Sequence, residues 1–223
     1  MKTECRIVLP FYKTAFAAVF VVILSLVRGV SMSFEIGIVL EPAMAVLAAA
    51  FCADTYVLEI VSGRSEVWRL YPVRNRMCAV GRRLVIQELY LLLLAAAGYG
   101  CFFLFQGREI SSFMNPEPVG ELQRFLVYLA AVMVTLVFWG ILSHTIACLC
   151  RSLWCGIGGS LILWILTNSG RGDRFLGPWN VFSYTFRNVE DSGDMSWLLG
   201  KGVCVICSAA MCAALPVILK KRG

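Results

Sequence analysis

Six stretches of the chain are apolar over lengths that suit membrane-crossing helices, and most charged residues are gathered between them. Four of them, Leu89 to Gly107, Phe125 to Cys150, Ser152 to Gly170 and Gly202 to Leu219, contain no Asp, Glu, Lys or Arg. Crossing a hydrocarbon core of roughly 30 Å takes about 20 helical residues, and a helix satisfies its own backbone there. The two earlier stretches are interrupted. The uncharged run between Lys13 and Arg28 is short, and the next carries Glu41 and Asp54. Both are still read as crossings, with Lys13 and Arg28 reaching the interfaces along their aliphatic stems. Glu41 and Asp54 are then expected near the ends of a helix from about Ile36 to about Leu58. The predicted architecture is an all-α integral membrane protein, one domain over residues 1–223, with spans at about 10–30, 36–58, 84–106, 124–148, 152–169 and 197–219.

Composition agrees, since 59% hydrophobic residues and a mean hydropathy of +0.77 leave too little polar surface to coat a water-soluble globule. Six spans with the amino terminus inside put thirteen of the twenty Lys and Arg residues on one face, which the positive-inside rule makes cytoplasmic. Arg28, Arg108, Arg124, Arg171, Arg174, Arg187 and Lys201 fall on the other face with most of the acids. The expected location is the cell membrane, multi-pass, with both termini cytoplasmic. The net charge of +6 is then a topology signal, not the mark of a nucleic-acid partner. The first apolar run lacks a small-residue cleavage site, so it is read as retained. Of the ten cysteines, Cys204 and Cys207 have CxxC spacing, but inside a span they are read as packing material and no metal site is expected.

Between the second and third spans lies EIVSGRSEVWRLYPVRNR, residues 59 to 76. As a helix from about Thr55 it sets Val57, Ile60, Val61, Val67, Trp68 and Tyr71 among Glu59, Arg64, Glu66 and Arg69, an imperfectly amphipathic bar suited to the inner interface. Gly63 permits a turn, Pro72 stops a helix, and Arg74, Arg76, Arg82 and Arg83 form a cluster that anionic headgroups of membrane lipids would hold. The plainer account is a basic connector of the kind any multi-span protein needs.

Glu59, Ser62, Gly63, Glu66, Leu70, Pro72 and Val73, followed by basic residues and Gly81, resemble the cytoplasmic loop of ABC-type-2 transporter permeases. The likeness covers nearly the full length and includes GPWNVFSYTF, similar to the re-entrant segment such permeases carry before their last span. Arg64, Ser65 and Glu66 depart from the Thr-Leu-Glu common in the family. The resemblance implies a coupling segment at 56–76 whose helix docks on a separate ATP-binding cassette ATPase, through Glu59, Ser62, Gly63, Arg64, Glu66, Trp68, Tyr71 and Pro72. It also implies pairing with a second permease copy or a paralogue. The expected function is export of a hydrophobic or amphipathic substrate, be it peptide, lipid or drug-like.

The chain has no GxxxxGK followed by Ser or Thr, so no cofactor is expected in it, and ATP and Mg would belong to the partner ATPase. In the external loop at 169–196, RFLGPWNVFSYTF is either a re-entrant hairpin, notably over 175–186, or a surface loop anchored by Trp179, Phe182 and Tyr184. Glu88, near the inner end of the third span, is an intramembrane carboxylate and hence a functional candidate, or else an interfacial partner of Arg82 and Arg83. Ser160 and His144 are the raw material of an intramembrane hydrolase, but GIGGS lacks the glycine that usually follows such a nucleophile, so no catalytic residue is expected. Few charges are expected inside the bilayer, which favours a driven permease over a secondary carrier. The alternative is a membrane immunity or sensor protein that holds a peptide or lipid without pumping it.

Overall fold

A computed structural model describes residues 7–30, 33–63, 76–113, 118–182 and 197–222. Among them all regular structure is helical: α1 (Phe11–Val27), α2 (Ser33–Cys52), α3 (Asp54–Val61), α4 (Arg76–Phe113), α5 (Pro118–Cys150), α6 (Leu153–Thr167), α7 (Gly170–Leu176), a 3-10 turn at Gly177–Trp179, and α8 (Trp197–Arg222). Each predicted apolar stretch is a helix, but they differ in reach.

Four are long and apolar enough to cross a membrane: Glu35–Val61, Cys78–Gln106, Leu122–Cys150 and Trp197–Leu219. A fifth crossing results if α6 and the segment after it, bent by 74°, make one broken span. Helix α1 has 17 residues, about 25 Å at 1.5 Å per residue. Length and composition of the described residues thus support a multi-pass membrane protein with four or five candidate crossings. An uncharged run in sequence says nothing of where a helix bends, and α6 ends at Thr167 with Asn168 and Ser169 turning the chain.

The connection between the spans expected at 84–106 and 124–148 is helical on both sides of residues 114–117. Helix α4 runs on to Phe113 and α5 begins at Pro118, a residue at home in a first turn because its missing N–H has no partner there anyway. Hydropathy marks the membrane edge, not the helix end. Helices α5 and α6 are joined by Arg151 and Ser152 alone. Arg151 takes the left-handed conformation (φ 52°), the Ser152 N–H reaches Ala147 O at 3.1 Å, and the Ser152 hydroxyl caps α6 by accepting from Cys155 N.

The bundle is built around α2 and α5. Ile36, Leu40, Met44 and Ala48 recur at fourfold spacing along α2 and are all fully buried. Where lipid surrounds the helices, close van der Waals approach replaces the hydrophobic effect as the main attraction, and small residues permit it. Gly98 of α4 lies against Val21 and Leu40. Gly156 of α6 lies so close to α5 that a Cβ there would stand 2.6 Å from Ala147 Cβ and 2.8 Å from Ser143 O. Outward-facing positions such as Phe16, Leu93, Leu104, Ile162 and Ile206 are exposed and apolar, as a lipid-facing surface requires.

Gly156→Leu should therefore force α6 off α5 and lower stability by about 1–3 kcal/mol, the usual range for overpacking. Reversible unfolding in mixed micelles measures it; an unchanged midpoint would mean that the two helices are not in contact.

Candidate functional site

Three of the residues assigned to ATPase docking lie in the described part of the chain. Glu59, Ser62 and Gly63 end α3, whereas Arg64, Glu66, Trp68, Tyr71 and Pro72 fall outside the described residues. Helix α3 continues the apolar run of α2 after a break at Ala53, so Tyr56 and Val57, expected on an interfacial bar, are buried in the core. Ser62 closes the helix through its N–H to Leu58 O at 3.0 Å, and Gly63 follows in the left-handed conformation (φ 69°) that lets a chain leave a helix. Val61, Ser62 and Gly63 are exposed. Glu59 Oε1 accepts from Arg83 Nη1 at 2.5 Å. Glu59 lies in the last turn of α3 and Arg83 about two turns into α4, so their bridge ties together the two helices that flank the 64–75 segment.

Further polar contacts continue this seam. Thr55 Oγ1 donates to Gln87 Oε1 at 2.6 Å, and Gln87 Nε2 donates to Phe51 O at 3.1 Å. Lys13 Nζ reaches Asp54 Oδ1 at 2.8 Å and Phe51 O at 2.6 Å, and lies 4.3 Å from the centroid of the Phe51 ring. Lys13 thus binds α1 to the end of α2 and the start of α3.

The other charge cluster lies deeper. Glu41 and Lys201, 160 residues apart, are paired in the core with almost no exposure of either side chain. The three ammonium protons have three acceptors: Glu41 Oε1, Thr135 Oγ1 at 2.8 Å and Val181 O at 3.0 Å. Thr135 Oγ1 in turn lies 2.6 Å from the same carboxylate oxygen. One cluster therefore joins α2, α5, α8 and the chain just after the 3-10 turn. Glu41 lies six residues into the Glu35–Val61 segment, about where the sequence put it, and Lys201 four residues into the Trp197–Leu219 segment; the burial of each against the other is what charge counted without its partner did not show.

The same cluster explains the chain after α7. Asn180 Nδ2 donates to Thr167 O at 2.9 Å and its Oδ1 accepts from Phe182 N, while Asn180, Val181 and Phe182 are all buried. Phe182 stacks on Trp139 of α5 with ring centroids 5.7 Å apart. Up to Phe182 the segment turns inward; Trp179 stays exposed, and Ser183 onward lies outside the described residues.

Glu88 is partnered differently from its neighbours. Its Oε1 lies 3.5 Å from Cys52 Sγ, while Oε2 is cut off from the surface without a hydrogen-bond partner. The carboxylate rests on Gly140 of α5, where any Cβ would collide with it. Arg83 serves Glu59 and is not its ion-pair partner among the salt bridges of the structure. His144 is buried with Nε2 3.7 Å from Cys148 Sγ, and the buried Ser160 Oγ has no hydrogen-bond partner, so no bond joins the two. Cys204 is buried and Cys207 exposed, so the CxxC pair faces two ways. Among the described residues no three His, Cys, Asp or Glu side chains converge on a metal-sized site.

No protein-family model, no curated protein and no solved structure matches this chain. What is established is a helical protein with four or five candidate membrane spans.

The Glu41–Lys201 pair can be tested by a double-mutant cycle. Removing one partner of a buried pair leaves an uncompensated charge and costs about 3–5 kcal/mol, whereas replacing both with apolar residues is often neutral. Glu41→Leu and Lys201→Met should each destabilise strongly, and the double variant should recover most of the loss in equilibrium unfolding. Additive losses would show that the two charges are not coupled.

Proposed function

We propose that the chain is the permease subunit of an exporter driven by a separate ATP-binding cassette ATPase, paired with a second copy or a paralogue and carrying a hydrophobic or amphipathic substrate. In this reading the chain crosses the cell membrane six times, with α1 and the bent α6–α7 pair as crossings and both termini in the cytoplasm. The 56–76 region receives force from the ATPase.

The observation that carries the proposal is the Glu59–Arg83 bridge. A flexible connector would dissipate a load before it reached the membrane. Here the two helices flanking the 64–75 segment are tied together by a charge-assisted hydrogen bond from Arg83, about two turns into α4, to Glu59 in the last turn of α3 and, about one turn further in, by Thr55 and Gln87. A push on the segment is thus delivered to α3 and α4 together. Gly63, exposed and left-handed, is the first point at which the chain can change direction. Trp68 and Tyr71 would supply anchoring area on the ATPase, and Arg64 and Glu66 the charges that orient it.

Photo-crosslinkers placed at Trp68 and Tyr71 and activated in native membranes should capture an ATP-binding cassette subunit, and crosslinkers in the Asp191–Ser196 stretch should not. In vesicles reconstituted with that subunit, Arg83→Met should leave ATP hydrolysis within about twofold of wild type while reducing substrate movement at least about tenfold, since hydrolysis belongs to the partner and only transmission is cut. Absence of an ATPase at both positions would overturn the proposal. ATP-independent retention of a ligand, without net movement, would favour the sensor or immunity reading.

A further inference from the structure

Helices α4 and α8 both pack on α5 and leave a groove of about 390 Å³ between them. Its floor includes Leu136 and Val137 of α5, one wall Leu84 and Leu92 of α4, and the other Cys212 and Leu215 of α8. This volume lies within the roughly 300–1,000 Å³ of small-molecule sites. Val85, Leu89 and Met133 at its edges are about half exposed, so the groove opens on the apolar flank of the bundle. Among its lining residues Glu88 is the only one with a charged side chain, and there is no Lys, Arg or His.

Elsewhere in the described interior, charge meets charge: Lys13 with Asp54, Arg83 with Glu59, Lys201 with Glu41. Glu88 has only a long contact from the Cys52 thiol to Oε1, and nothing on Oε2. A carboxylate at membrane depth is costly unless it faces a partner. Gly140 accentuates the point, since it is the absence of a side chain there that lets the carboxylate sit against α5.

We propose that this groove is a binding site for a lipophilic monoamine, whose protonated nitrogen pairs with the Glu88 carboxylate once the side chain turns its enclosed Oε2 toward the groove, while its hydrocarbon portion lies between α4 and α8. Charge complementarity selects this occupant. A neutral lipid or acyl chain fills the groove but leaves Oε2 unpaired, and an anionic amphiphile meets a like charge. A zwitterionic headgroup would bring its phosphate toward a lining with no basic group. An ammonium with an N–H supplies both the opposite charge and the missing donor, a combination that gains strength away from water. The side opening gives the ligand a lateral route from the bilayer, where such amines partition. The site goes beyond the export reading and stands whether or not an ATPase drives the chain.

The test uses the full-length protein in phosphatidylcholine nanodiscs, radiolabelled dodecylamine as probe, and empty nanodiscs subtracted as background. Binding should be saturable, and dodecanol, which has the same chain without the charge, should displace the probe at least about tenfold less well than unlabelled dodecylamine. Glu88→Gln keeps the shape and removes the charge; it should weaken binding at least about tenfold with the helical circular dichroism unchanged. Val137→Phe, which fills the floor and leaves Glu88 in place, should also abolish saturable binding, and it decides the matter should the Gln variant not fold. No saturable binding to the wild type, equal displacement by dodecanol, or wild-type affinity in a folded Glu88→Gln or Val137→Phe variant would overturn the proposal. None of these readouts involves ATP, so the site and the export reading fail separately.

Discussion

A lysine and a glutamate buried against each other between α2 and α8 set the terms for the rest of the bundle. On insertion scales a lone charge at the centre of a membrane helix costs about 2.5–3.5 kcal/mol, and both residues lie on segments otherwise apolar enough to cross. Lys201 is tolerated because each of its donors has an acceptor, and Glu41 because it receives both Lys201 and lies in hydrogen-bond contact with Thr135. Apolar helix faces in lipid can slide with little penalty, since one methyl contact replaces another. A buried ion pair cannot slide: a shift of α8 by one residue would strand both charges. The cluster therefore fixes the register of α8 on α2 and α5, and through Val181 O it also holds the chain after the bend against the bundle.

A second set of polar contacts does for α1, α3 and α4 what the Lys201 cluster does for α8. Lys13 with Asp54, Thr55 with Gln87 and Glu59 with Arg83 form a seam that crosses from α1 through the α2–α3 break to α4. The two sets engage different helices and meet only through α2. Between them lies an apolar stretch of interface whose one carboxylate lining the groove is Glu88. The contrast separates charges that serve folding from one that is chemically available: the former each have an oppositely charged partner, the latter has none among the described residues.

How much of this the sequence discloses depends on whether a property is local. Long uncharged runs such as Leu89 to Gly107 and Phe125 to Cys150 announce helices on their own, because a backbone in lipid has few alternatives. The left-handed turn at Gly63 and the capping role of Ser152 follow from residue type and neighbours. The crossing count does not, because it depends on whether α6 bends after Thr167 and on whether a 17-residue helix is deep enough. Lys201 and Glu41 were legible only as charges to be placed at the nearest edge; their pairing across 160 residues is a tertiary fact. Glu88 was visible as a suspect, but Arg82 and Arg83 nearby offered it a dull partner, and only the commitment of Arg83 to Glu59 removes that account for one of the two. Gly140 carried no signal at all, since a glycine in an apolar helix has many reasons to be there.

The two polar sets also determine which parts of the molecule can move together. Helix α8 is held to α5 by Lys201 through Thr135, so the floor of the groove and its α8 wall belong to one body. The opposite wall belongs to α4, whose polar ties run mainly to α1, α3 and the end of α2, with a single long contact at 3.5 Å from Tyr128 Oη of α5 to Ala95 O. Under the proposed driven mechanism, a load on the 64–75 segment enters through α3 and α4, and so acts on the wall that carries Val80, Leu84 and Glu88 while the α5–α8 body resists. The width of the groove at Glu88 is then the coordinate that such a load changes most directly, because among the described residues no ion pair bridges that gap to oppose it. In that proposal, a push on α3 and α4 would be connected to the grip on a molecule inside the bilayer.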